Sequence, residues 1–254
     1  MKTEDAAIAA INQATTELRL PSLKAQAEPL AATAVKTGLT HMGYLAELLA
    51  CEVDDRNDRL RARRINEAKF PRMKRLADFD LTASQVKPTV LAKLATGSYL
   101  EAGEPIVLLG DSGTGKSHLL IGLGIAACEM GKKVKYTTCA NLINELVEAA
   151  DDRQLSRTVA RYGRLDLLCL DEVGYVHADP RGAELLFQIM TEREERASIA
   201  IASNLPFSEW GQVFPNPRLV SAVVDRVTFN AHIIETGSQS YRYQTSKRKT
   251  ETSK

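Results

Sequence analysis

The sequence predicts an α/β fold, a five-stranded parallel sheet with helices on its faces, preceded by a small all-helical N-terminal domain. Three observations predict it. From Pro105 onward, short apolar runs alternate with helical stretches, the pattern of strands joined by crossover helices around a buried sheet. Residues before about Phe79 are Ala-rich, lack β-branched runs and place apolar side chains near the i, i+3, i+4 spacing of amphipathic helices. The length of 254 residues, 44% hydrophobic and 26% charged, suits one such core with a smaller appendage and excludes collagenous, low-complexity and wholly disordered chains.

Taken in order, Tyr44, Leu45, Leu48, Leu49 and Val53 mark an amphipathic helix from Thr40, a plausible N-cap, to Lys69, before Phe70-Pro71 disfavours further helix. Strands are expected at Ile106–Leu109, Lys133–Thr137, Asp166–Leu170, Ser198–Ala202 and His232–Glu235. Two helical runs, Ala140–Ala149 and Asp151–Tyr162, stand between the second and third strands, where one would suffice. The expected domains are a helical N-terminal domain over residues 1–80, to which the basic cluster and the family resemblance below give DNA-binding and assembly roles, a core over 81–238, and a basic, disordered tail over 239–254.

Several classes are excluded. The longest apolar run, His118–Cys128, is too short for the roughly 20 residues of a membrane span. Glu4 and Asp5 stand where a signal peptide carries positive charge, so a cytoplasmic protein is expected. Cys51, Cys128, Cys139 and Cys169 form neither a C-x-x-C pair nor a set with histidine at metal-ligand spacing. The net charge of +1 hides an uneven distribution: Arg56 to Arg75 holds nine Lys/Arg against Asp58 and Glu67. Arg56, Arg59, Arg63 and Arg64 are therefore expected to meet phosphates of double-stranded DNA, with little sequence preference, since no aromatic side chain and only one amide, Asn57, interleave them. Arg153 and Arg157, with Arg161 and Arg164, offer a second basic face.

The chemistry lies in two motifs. Gly110-Asp111-Ser112-Gly113-Thr114-Gly115-Lys116-Ser117 satisfies G-x-x-x-x-G-K-[ST], follows an apolar strand and opens a helix at His118. Glycines allow the loop's amides to turn inward around phosphate oxygens, and the helix N-terminus adds a favourable dipole. Lys116 then reaches the β and γ phosphates of ATP, Ser117 supplies a hydroxyl for Mg²⁺, and His118 flanks the nucleotide. The strand Leu167–Leu170 runs straight into Asp171-Glu172, a Walker B pattern in which Asp171 holds Mg²⁺ and Glu172 is the base or water-orienting group. A third buried strand ends at Asn204, placed to orient water or touch the γ phosphate.

These residues, with Ser203-Asn204-Leu205-Pro206-Phe207, Trp210, Asp225-Arg226 and Ser240-Tyr241-Arg242, resemble the AAA+ ATPases of the IstB type, helpers of transposases in bacterial insertion sequences. The resemblance implies a P-loop AAA+ core without a C-terminal lid. It also implies Asn204 as sensor 1 and Arg226, with Arg218 as rival, as an arginine finger acting on a neighbouring subunit. The implied function is an ATP-dependent, DNA-binding ATPase that self-assembles on target DNA and stimulates a transposase encoded nearby. A helicase loader is the alternative. A small-molecule P-loop kinase needs an acceptor pocket and lid that the sequence does not display.

Overall fold

The computed structural model describes residues 2–175 and 178–241. Contacts divide the chain into two units, one ending at Arg63 and one beginning at Arg64. The first holds three helices, α1 (Lys2–Glu17), α2 (Pro21–Thr37) and the start of α3 (His41–Ala68). Arg19, with φ +57°, breaks α1 from α2, and Pro21 opens α2 at a position where its missing N–H is no loss. Thr40 caps α3 by accepting a hydrogen bond from Gly43 N, at 3.1 Å. The unit's core is small: Leu23, Ala27 and Leu48, with Leu20, Leu30 and Tyr44 against them. Its polar key is Glu52, buried on α3, whose Oε2 accepts the backbone N–H groups of Ser22 and Leu23 at 2.9 and 3.0 Å. A carboxylate from one helix thus satisfies the N-terminal donors of another.

The second unit is a three-layer α/β structure. Its strands are β1 (Ile106–Leu109), β2 (Val134–Thr138), β3 (Leu167–Val173), β4 (Ser198–Ser203) and β5 (His232–Glu235), all parallel in the order β2-β3-β4-β1-β5. The apolar runs of the central strands β1, β3 and β4 are buried on both faces, as such sheets require, whereas Ile233 on the edge strand β5 is exposed. Val107, Leu168, Leu170, Ile199 and Ile201 pack under α7 (Cys139–Asp151), α8 (Leu155–Gly163), α9 (Pro180–Arg193) and α10 (Pro217–Thr228). Ile106, Leu108, Leu167, Cys169, Ala200 and Ala202 face α4 (Pro88–Ala95), α5 (Ser98–Ala102) and α6 (Lys116–Glu129).

Residues 64–80 pack with this unit, whereas the sequence reading ends the helical domain at 80. Ile65, Ala68, Phe70, Leu76 and Phe79 join the core beneath α6. Gly122 and Gly124 leave room for them: a Cβ at either would meet Leu76 or Phe70 at 2.7 Å. Of the expected tail, Ser240 and Tyr241 lie beside the loop between β1 and α6; residues 242–254 are outside the described ones.

The extra helix α8 is fixed by Arg193, almost fully buried at the end of α9. Its guanidinium donates to the carbonyls of Tyr162, Leu165 and Ser198, and burial pushes its pKa down to about 10. All four cysteines are free thiols, and no residue cluster suited to a metal ion of the His/Cys/Asp/Glu type occurs among the described residues. No described helix is long and apolar enough to cross a membrane.

Candidate nucleotide site

The carboxyl ends of β1, β3 and β4 open into a cleft of about 610 Å³. Because these strands are neighbours in the sheet, three sequence segments far apart in the chain meet there. The loop 112–118, Asp171, Glu172 and Asn204 all line it, so the structure brings together every residue of the two motifs except Gly110 and Asp111, whose backbone lies just behind.

The loop between β1 and α6 is built from left-handed glycines: Gly110, Gly113 and Gly115 have φ of +148°, +86° and +100°. Side chains are excluded there by close neighbours as well as by conformation. A Cβ at Gly115 would lie 2.7 Å from the Phe79 ring, and one at Gly110 or Gly113 would collide with Thr236 or Ser240. Lys116, which opens α6, folds its Nζ back onto the carbonyl oxygens of Gly110 and Asp111 at 2.6 and 2.7 Å. Its ammonium is thus already directed into the concavity of the loop. The segment after β5 braces the loop from outside: Thr236 Oγ1 lies 2.6 Å from Thr114 Oγ1, Asp111 N donates to Gly237 O at 3.1 Å, and Tyr241 N donates to Gly113 O at 3.1 Å.

His118 does line the cleft, yet its ring is engaged by protein. Nε2 lies 2.9 Å from the Arg75 carbonyl, and Phe79 sits edge-on at 5.4 Å between centroids. These contacts anchor the 75–79 segment to the start of α6.

On β3, Asp171 is buried and Glu172 exposed. The strand carries a bulge here, with register lost between Leu170 and Val173, and Glu172 adopts φ +62°. A non-glycine residue in that region costs on the order of 1–3 kcal/mol and turns two successive acids toward different surroundings. Asp171 Oδ1 accepts the Glu172 N–H at 2.9 Å, and its Oδ2 accepts the Tyr136 hydroxyl at 2.7 Å. Burial, then the hydrogen bond and charge of Asp171, push the Tyr136 phenol well above its ordinary value. At the end of β4, Ser203 Oγ donates to Leu205 O and accepts Leu205 N, a tight turn that directs Asn204 into the cleft. Trp210 is fully buried and donates to the same Leu205 carbonyl at 3.2 Å.

The residues fit a nucleoside triphosphate with a hard divalent cation. The glycine loop is concave where a Cβ would fill it. Buried Asn204 Oδ1 has no hydrogen-bond partner, an orphan acceptor beside the cleft. Ser117, Asp171 and Glu172 supply only oxygen donors, the chemistry that Mg²⁺ takes.

The remaining expected residues lie elsewhere. Arg226 on α10 does not line this cleft; it borders a separate pocket of about 140 Å³. Its guanidinium covers the Phe187 ring at 4.6 Å, and its Nε is 3.0 Å from Glu194 Oε2, an ionic contact out of line for a hydrogen bond. Arg218, in the first turn of α10, is exposed.

The basic cluster is less bare than its composition implies, because Glu52, just ahead of it, reaches in. Arg59 lies 3.4 Å from Glu52 and donates to Ser22 Oγ at 3.2 Å, and Arg56 lies 3.9 Å from Glu52. Arg61 pairs with Asp58, Arg64 with Glu67, and Arg75 with Glu129. On the second basic face, Arg153 leaves the helix altogether: at φ +57° it forms the turn between α7 and α8. Arg157 is exposed on α8, while Arg161 pairs with Glu145. The structure brings Arg64 and Arg161 into one notch of about 270 Å³ with Lys133 and Lys135, residues that sequence spacing alone did not single out.

Residues 13–249 match the family described as IstB-like ATP binding protein. An insertion sequence ATP-binding protein of Sinorhizobium fredii is 36% identical over 228 residues, 89% of this chain and 76% of its own length. The insertion sequence IS21 ATP-binding protein of Pseudomonas aeruginosa is 32% identical over 89% of this chain and 86% of its own. Among solved structures, DnaA bound to AMPPCP from Aquifex aeolicus superposes with a TM-score of 0.55 at 23% identity, covering 70% of this chain and 55% of that one. DnaI superposes with a TM-score of 0.54 at 18% identity, covering 70% and 98%. These two likenesses establish the fold. The chain belongs to the IstB-like ATP-binding protein family, and its second unit is an AAA+ ATPase core.

Proposed function

We propose that this ATPase assembles on double-stranded DNA in its ATP-bound state and stimulates a transposase, with hydrolysis resetting the assembly. The observation that carries this reading is the meeting of Lys116, Asp171, Glu172 and Asn204 in one cleft, in a chain whose relatives are named as ATP-binding proteins of insertion sequences.

In this reading the amides of 110–117 and the Lys116 ammonium hold the phosphates. Ser117 and Asp171 hold Mg²⁺, which when bound offsets phosphate charge and orients the γ phosphoryl group. Glu172, exposed toward the cleft, accepts a proton from the attacking water or orients it, and Asn204 lines the same cleft beside it. Arg226 lies outside its own cleft, which supports action on a neighbour's γ phosphate. Arg157 and the notch of Arg64, Lys133, Lys135 and Arg161 offer cations to DNA phosphates without reading bases. The working compartment is the bacterial cytoplasm.

The test is a strand-transfer assay with the transposase encoded beside this gene. Stimulation by wild type with ATP, and none by Lys116→Ala, is expected. The alternative reading is a helicase loader built on the same ATP-binding core. Co-purification with a ring helicase and an absence of transposase stimulation would select it.

A further inference from the structure

We propose that Tyr136 is a positioning residue for the metal-holding carboxylate: its hydroxyl fixes Asp171 in the orientation that receives Mg²⁺. The inference rests on the reading of Asp171 as the Walker B aspartate and adds a residue outside the two motifs. Tyr136 stands on β2 and Asp171 on β3, paired in parallel so that Tyr136 is opposite Cys169, two residues before Asp171. Side chains two apart on a strand share a face, so the Tyr136 ring extends along the sheet and its hydroxyl reaches Asp171 Oδ2 at 2.7 Å. It does so from behind, since Tyr136 is not among the residues lining the cleft.

The consequence is geometric. Asp171 is 4% exposed, and each of its carboxylate oxygens already has one donor from the chain, Glu172 N on Oδ1 and Tyr136 on Oδ2. Two donors on opposite oxygens fix the rotation of the carboxylate plane and leave its remaining lone pairs directed to the cleft. The Glu172 donor depends on the β-bulge, so a single hydrogen bond at that strained turn would hold the carboxylate alone if the phenol were removed. The ring itself is held separately, at 6.1 Å from Phe70 between centroids, so its position does not rely on the hydroxyl. Groups that orient metal-binding carboxylates typically contribute on the order of 10–100-fold in metal affinity.

Tyr136→Phe keeps the ring on Phe70 and removes only the donor. The experiment is a titration of a fluorescent ATP analogue onto the full chain, without metal and at increasing Mg²⁺, for wild type, Tyr136→Phe, Asp171→Asn and the double variant. Metal-free affinity of Tyr136→Phe should stay within about twofold of wild type, while the Mg²⁺ concentration for half-maximal enhancement rises about 10-fold. The double variant should match Asp171→Asn alone, because the phenol acts through that carboxylate. Unchanged Mg²⁺ dependence in Tyr136→Phe, with Asp171→Asn impaired, overturns the proposal. So does an equal loss of metal-free affinity, which would mark a structural role. Unchanged Mg²⁺ dependence in Asp171→Asn itself would instead defeat the Walker B reading on which the proposal rests.

Discussion

Arg226 lies 3.0 Å from Glu194 and over the face of Phe187, within its own subunit and away from the nucleotide cleft. If Arg226 acts on a neighbour's γ phosphate, as proposed, it must leave this carboxylate on assembly, and Glu194 would compete with the neighbouring active site for the same charge. Both side chains are partly exposed, 26% and 35%, so the pair contributes no more than roughly 1 kcal/mol after solvent screening. Glu194→Gln is therefore expected to lower the protein concentration for half-maximal ATPase by up to about fivefold. Sedimentation and rate measurements across a concentration series check this; an unshifted midpoint would show that the contact does not restrain assembly.

The two motifs assign separate tasks to neighbouring groups. Lys116→Ala removes the ammonium from the loop and should abolish ATP binding in a fluorescence titration. Glu172→Gln leaves the loop and Asp171 intact, so it should bind ATP near the wild-type level, lose turnover by at least about 10²-fold and trap the assembled state. Wild-type affinity in Lys116→Ala would contradict the site.

For DNA, the notch offers a test that leaves the helical unit alone: removing Arg56 and Arg59 would disturb their contacts with Glu52 there, whereas Arg64, although paired with Glu67, belongs to the second unit with Lys133 and Lys135. Replacing Arg64, Lys133 and Lys135 by Ala should weaken binding to all duplex sequences alike and flatten the slope of log affinity against log salt by up to about 0.9 per lost contact. An unchanged slope would mark the notch as a solvated surface.

Glu52 should dominate the stability of the helical unit. Glu52→Ala strips two backbone donors of α2 of their acceptor and leaves Arg59 without its carboxylate, at a cost of roughly 2–3 kcal/mol. Thermal unfolding of the full chain followed by hydrogen exchange should display early opening of α2 and little change around β1. Uniform protection in both units would contradict this account.

Glu145 gives a pH-dependent signature. Burial raises its pKa, but hydrogen bonds from Tyr162 and Arg161 outweigh this and hold it below its ordinary value. A carboxylate depressed in the folded state stabilises above its unfolded pKa and loses that contribution as pH falls through the folded one. Glu145→Gln should therefore lower the melting temperature at pH 7 and have much less effect at a pH acid enough to protonate the folded carboxylate. An equal shift at both pH values would assign the effect to packing alone.

How far the sequence could be read follows from how local each feature is. The phosphate loop, Asp171-Glu172 and the five strands depend on contiguous residues, and the structure keeps them: strands expected at 106–109 and 232–235 are found there, and the third is longer only because its bulge carries the acid pair inside the strand. Tertiary partners were not legible. Arg56 and Arg59 read as unbalanced because Glu52 precedes their window, and Arg153 read as helical although it turns the chain between α7 and α8. Residues 64–80 read as part of the helical domain, yet Gly122 and Gly124 open α6 to Leu76 and Phe70. The contact of Tyr136 with Asp171 crosses two strands and has no signature along the chain.

The central claim, that the active site is completed between subunits, is tested most directly by mixing two inactive variants. Arg226→Ala retains Lys116 and binds ATP; Lys116→Ala retains Arg226. Each alone should lose most turnover, Arg226→Ala by about 10³–10⁵-fold if its guanidinium acts as in other nucleotide hydrolases. After cross-linking establishes that the two co-assemble on long duplex DNA, ATPase is measured on the mixture. Recovery of part of the wild-type rate is the predicted result; co-assembly with turnover no higher than in the separate variants would contradict a trans-acting Arg226 and direct the same test to Arg218.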